Sequence, residues 1–219
     1  MRTLKALAAL LAYPEPELLA ALPEIRAIVE AEKRLGRDDR TRLGALIDDL
    51  AAADPLDAQE RYVELFDRGR ATSLHLFEHV HGDARDRGQA MVDLNALYAS
   101  HGMAIAANEL PDYLPAVLEY LSTRPPGEVR EMLGDCAHVL RAVGEALAGH
   151  DSRYGAVLGA LLAIAGEPAL DYQPKPRAPR AAETPALDDE WVDEPVIFGP
   201  GCTDVKPKAQ VVRFMDKRA

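Results

Sequence analysis

Apolar residues return at every third or fourth position through the first three-quarters of this chain, and that spacing restricts the backbone to helix. Leu43, Leu46, Ile47 and Leu50 follow it, as do Leu114, Val117, Leu118 and Leu121, and Met91, Leu94, Leu97 and Tyr98 form another stripe. The longest stripe runs through Val129, Met132, Leu133, Cys136, Leu140, Val143 and Leu147, and Tyr154, Val157, Leu158, Leu161 and Leu162 make the last. Pro14, Pro16, Pro23, Gly36, Asp54–Pro55, Gly69, Gly82, Gly102, Pro125–Pro126–Gly127 and Gly149 punctuate the series. No strand-type alternation and no fixed-period repeat appears before residue 166. Aromatics are only 5% of a chain rich in Ala and Leu. The expected fold is therefore all-α, with one helical domain over residues 1–166.

Beyond Gly166 the pattern stops. Eight of the 16 prolines fall in residues 167–219, which rules out long helices there. That stretch reads as a Pro-rich linker leading to a short acidic–aromatic segment, DDEWVDEPVIFGPG at 188–201. The segment is either a disordered tail or a docking strip for the body or a partner, and composition does not separate the two. At the other end, MRTLK followed by ALAALLAY has the form of a secretory signal. Leu4, Leu7, Ala8 and Leu11 keep helical spacing, however, so a first core helix is the expectation. The uncharged run Tyr154–Gly166 is too short to span a membrane.

Charge and cysteines narrow the function classes. A net charge of −11 argues against nucleic acid and toward a cationic peptide or basic protein surface. Cys136 and Cys202 form no CxxC pair, which disfavours zinc ribbons, iron–sulfur sites and disulfide frameworks. No phosphate loop, dinucleotide fingerprint or nucleophile elbow occurs. One enzyme-like string does occur: His75-Leu76-Phe77-Glu78-His79 is an HxxEH. Histidines at i and i+4 share one helix face and can ligate zinc, with Glu78 as general base and Glu109, Glu119 or Glu128 available as third ligand. A small zinc hydrolase is therefore one competing reading, and a generic helical adaptor is another.

The stretch NELPDYLPAVLEYL, residues 108–121, sets two prolines beside a strong helical stripe. With Asp112 as N-cap, Pro115 falls in the first turn, where a missing N–H costs nothing. Pro111 stiffens the approach, and Glu109 and Asp112 complement the positive end of the helix dipole. No Lys or Arg lies between Gly102 and Ser122, so the helix start presents an anionic, aromatic surface suited to a basic peptide.

These residues carry a resemblance. Glu109-Leu110-Pro111-Asp112-Tyr113 is similar to the E-x-P-D-H signature of the TorD-like maturation chaperones for molybdenum enzymes, with Tyr113 in the His position. The full phrase resembles the nitrate reductase delta-subunit branch of that family. A second block agrees in order: Tyr62-Val63-Glu64-Leu65-Phe66-Asp67, then His81-Gly82-Asp83 and a helix from Arg85 to Tyr98. The resemblance covers roughly residues 5–165. It implies an all-helical, non-enzymatic cytoplasmic protein with no cofactor of its own and no stable membrane insertion. Its implied partner is the apo catalytic subunit of a respiratory nitrate reductase, bound through a twin-arginine-like N-terminal segment. The bound subunit would stay competent for molybdenum cofactor and iron–sulfur insertion before membrane docking, and the chaperone would leave before the enzyme matures. Contact with the cofactor-loading proteins is left open. The implied peptide-binding residues are Tyr62, Phe66, Asp67, His81, Asp83, Glu109, Asp112 and Tyr113. Tyr113 in place of His removes a group that titrates near neutrality.

Overall fold

The sequence GAVLGALLAIA has no polar face, so a helix made from it must be covered on every side. This requirement organises the protein. In the computed structural model, which describes residues 1–80, 84–105 and 109–170, that helix is α10 (Gly155–Ala165), and Val157, Leu158, Ala160, Leu161 and Leu162 have no exposed surface. It is covered by α1 (Arg2–Leu11), α3 (Arg37–Ala52), α8 (Pro126–Asp135) and α9 (Ala137–Gly149). A second layer sets α1 against α2 (Pro16–Ala31) and α7 (Leu114–Ser122). The remaining helices are α4 (Pro55–Phe66), α5 (Leu76–Val80) and α6 (Ala84–Ser100), with a single 3-10 turn at Arg70–Thr72. Among the described residues there is no strand, and the one extended pairing is an isolated antiparallel bridge between His75 and Tyr113. The all-α expectation holds.

The N-terminal run is core. Leu4, Leu7, Leu10 and Leu11 have no exposed surface, and α1 lies along α7. Other local expectations need correction. Pro23 does not end a helix, because α2 continues through it. The ring lies on the exposed side, where water can satisfy the carbonyl that the missing N–H leaves free. The long stripe from Val129 to Leu147 is two helices, not one. Cys136 (φ −90°, ψ 0°) closes α8 and opens α9, its carbonyl accepting from Val139 and Leu140 at 2.9 and 3.0 Å. Its side chain is half-buried against the core, and burial raises the thiol pKa. The Met91–Tyr98 stripe is only partly covered: Tyr98 is buried, whereas Met91, Leu94 and Leu97 remain half-exposed. Among the described residues no helix is long and apolar enough to cross a membrane.

The chain does not leave this core at Gly166. That residue adopts a left-handed conformation (φ 84°, ψ 19°), which glycine tolerates best, and terminates α10. The following four residues turn back over α9. Arg141 donates to the Pro168 carbonyl at 2.8 Å, and Leu170 is 2% exposed. A Cβ on Gly144 would meet Leu170 Cδ2 at 2.5 Å, so the glycine forms the notch into which the leucine fits. The acidic–aromatic segment at 188–201, and Cys202, lie outside the described residues. Leu170→Ala should lower stability by about 2–4 kcal/mol through the emptied notch, read as a lower urea midpoint with an unchanged slope.

Candidate functional site

Asp112 has no exposed surface. A carboxylate in that position must find hydrogen-bond donors or pay a desolvation penalty of several kcal/mol. It finds two on a segment far away in sequence: the Phe77 N–H donates to Oδ2 at 3.1 Å, and His75 Nδ1 lies 3.2 Å from Oδ1. An ionised carboxylate only accepts, which assigns the Nδ1 hydrogen to His75. The backbones join the same pairing. The Leu76 N–H donates to the Asp112 carbonyl at 3.1 Å, and the Leu114 N–H donates to the Leu74 carbonyl at 2.8 Å. Tyr98 secures the other flank by donating from its hydroxyl to the Pro111 carbonyl at 2.8 Å.

This arrangement corrects the expected cap. Tyr113, not Asp112, is the N-cap of α7, and its side chain makes no capping bond. Pro115 still falls in the first turn. The bridge to His75 holds Tyr113 in extended geometry (φ −65°, ψ 117°), which delays the helix by one residue and frees the Asp112 carboxylate to cap the start of α5 instead.

Above the clip lies a groove of about 300 Å³. Tyr62, Phe66, Asp67, Glu109 and Tyr113 line it, bringing together five of the eight residues that the sequence singled out. Asp112 sits beneath them as a support, and His81 and Asp83 lie outside the described residues. The floor is aromatic. Tyr62 packs on Phe66 with ring centroids 4.7 Å apart, and Phe66 meets Tyr154 edge-on at 5.1 Å. The Tyr62 hydroxyl donates to the Leu11 carbonyl at 2.8 Å and lies 3.0 Å from the Tyr113 hydroxyl. Burial raises the Tyr62 and Tyr113 phenol pKa values, keeping both protonated.

Sequence reasoning missed four lining residues: Tyr13, Leu74, His75 and Leu110. His75 was noticed only as part of HxxEH, and Tyr13 only as the end of an apolar run. Leu110, at the variable position of the five-residue signature, gave no signal. Tyr13 and Leu110 are 41% and 45% exposed, so the groove keeps two large apolar side chains open to solvent.

Among the described residues the geometry does not supply the shared helical face that the zinc reading expects. His75 precedes α5 and sits in the bridge, so the two histidines do not share a helical face. One ring nitrogen of each is engaged, His75 Nδ1 with Asp112 and His79 Nε2 with the Ser73 carbonyl at 2.9 Å. Glu78 pairs with Arg87 at 3.3 Å. Among the described residues no three His, Cys, Asp or Glu side chains are placed to hold a metal ion.

Fold and groove together define a helical protein with an acidic–aromatic cleft. The nitrate reductase delta subunit family model matches residues 32–158, a span that contains both sequence blocks described above. The nitrate reductase molybdenum cofactor assembly chaperone NarJ of Escherichia coli K12 is 45% identical over 211 residues, covering 94% of this chain and 89% of that protein. The probable chaperone NarW of the same organism is 39% identical over 202 residues, covering 90% and 84%. The probable NarJ of Bacillus subtilis is 32% identical over 162 residues, covering 74% and 86%. The chain belongs to the nitrate reductase delta subunit family.

Two predictions follow from the clip. Asp112→Ala leaves the Phe77 N–H and the His75 ring without their acceptor and should cost about 2–3 kcal/mol, measured by urea unfolding. The hydrogen bond to Asp112 raises the His75 pKa above its ordinary 6.5. A raised folded-state value means that the contribution is complete below the unfolded pKa and is lost as pH rises through the folded one. The stability gap between wild type and His75→Gln should therefore be widest below about pH 6.5 and narrow on the alkaline side.

Proposed function

We propose that this protein is a dedicated assembly chaperone for a respiratory nitrate reductase. It holds the N-terminal segment of the apo catalytic subunit in the groove between the Tyr62–Asp67 end of α4 and the Glu109–Tyr113 turn. The curated relatives are named for this class of work, and the groove supplies the means. An amphipathic segment would lay its apolar side on Tyr62, Phe66 and Leu74 while its basic residues meet Asp67 and Glu109. Tyr13 and Leu110, exposed at the cleft, would be covered by the same segment.

The holding is a waiting step. While its N-terminal segment is engaged, the catalytic subunit stays in the cytoplasm and open for insertion of molybdenum cofactor and iron–sulfur cluster. The chaperone leaves before membrane docking and is not part of the mature enzyme. No catalytic group of its own is required. The observation that carries this reading is the convergence in one groove of residues from two blocks more than forty positions apart, Tyr62–Asp67 and Glu109–Tyr113.

The test is calorimetric titration of the protein with the N-terminal peptide of the catalytic subunit, beside a scrambled peptide of equal charge, at low and high salt. Saturable binding of the native peptide alone is expected. Glu109 is exposed, so Glu109→Lys should weaken binding by about tenfold or more without loss of helix content. Equal binding of both peptides would reduce the interaction to charge attraction.

A further inference from the structure

The hydroxyls in the groove have a fixed order. A tyrosine hydroxyl carries one hydrogen, and that of Tyr62 goes to the Leu11 carbonyl at 2.8 Å. The 3.0 Å contact between Tyr62 and Tyr113 must then be donated by Tyr113. What Tyr113 has left for a ligand is its oxygen lone pairs. Asp67 and Glu109, ionised, only accept, and the Nδ1 hydrogen of His75 is held by Asp112. None of the lining residues is Lys or Arg. Three of the groove's polar groups, the Asp67 and Glu109 carboxylates and the Tyr113 oxygen, therefore want hydrogens from the ligand, and want them at once.

From this we infer that the groove selects arginine over lysine: a guanidinium bridges Asp67 and Glu109 across the Tyr113 oxygen. The inference deepens the peptide reading above and rests on it. The two carboxylates come from different elements, Asp67 from the C-terminal cap of α4 and Glu109 from the turn before α7. Both act on the same phenol, adding to the rise in the Tyr113 pKa that burial begins. A planar guanidinium offers five donors in a rigid fork and can address acceptors on separate elements together. A lysine ammonium has three donors around one point and holds its hydration more strongly, so it meets one carboxylate at a time and loses more on entering an aromatic cleft. The Tyr13 ring, 41% exposed and set edge-on to Tyr62 with an 87° angle between rings, offers a face on which a guanidinium can stack.

The experiment uses two synthetic versions of the catalytic-subunit N-terminal peptide, one with arginine and one with lysine at every basic position. Each is titrated into the full-length protein and into the Asp67→Asn and Glu109→Gln variants, with circular dichroism as the folding control. Against wild type the arginine version should bind about tenfold or more tightly. In each variant that preference should shrink toward equality, because one arm of the bridge is gone. Equal affinities in wild type, or a preference that survives both substitutions, would overturn the guanidinium bridge while leaving the groove as a peptide site. Failure of both peptides to bind would overturn the bridge and the peptide reading together.

Discussion

A single buried carboxylate holds the functional end of this protein in register. Asp112 has no contact with solvent, yet its side chain and carbonyl take three hydrogen bonds from residues 75–77. Two of those residues open α5, which is only five residues long. A helix that short has no stability of its own. It is held from outside: Asp112 receives the Phe77 N–H at its start, Arg70 donates to the Glu78 carbonyl, and His79 Nε2 meets the Ser73 carbonyl. The same bonds place His75 against Tyr113, with ring centroids 5.4 Å apart, and so define one wall of the groove. The carboxylate that the resemblance implied as a peptide ligand is the support on which the groove-lining residues stand.

The groove is also tied to the core. Tyr154, next to the start of α10, packs on Phe66 and Tyr62, and these two rings are the groove floor. Tyr62 reaches further, to the carbonyl at the end of α1. An occupant would therefore press on side chains that are continuous with the most buried helices, not on a free loop. Such a floor is preorganised, and little ordering entropy is left to lose on binding. The exposed residues Tyr13, Leu110, Asp67 and Glu109 are the adaptable part.

What the sequence disclosed divides along a physical line. Periodicity reports which residues face inward, so the helices and the buried N-terminal run were legible. The signature residues gave five members of the groove, since their identity carries family information. Periodicity cannot report a change of helix axis that keeps the apolar stripe in phase, and so Cys136 concealed the break between α8 and α9. Nor can it report the partner of a polar side chain. Asp112 as a helix cap and Asp112 as a buried clip have the same local sequence, and the difference lies in residues 75–77, which tertiary structure brings near. HxxEH misled for the same reason: its spacing implies one helical face only if the helix includes His75, and the bridge to Tyr113 excludes it.

The tyrosine at 113 gains its meaning from that bridge. A histidine there, as in the signature this chain resembles, would set two imidazoles side by side, and protonation of either would oppose protonation of the other. Tyrosine removes one of the two titrations. Its phenol pKa is raised by burial and then by Glu109 and Asp67, so it keeps its hydrogen throughout the neutral range. That hydrogen is directed to Tyr62, whose own is directed to Leu11. The chain of hydroxyls thus runs one way, from the groove into the core, and leaves the Tyr113 oxygen an acceptor at the surface. In this member position 113 contributes a fixed hydrogen-bond direction rather than a second titrating ring beside His75.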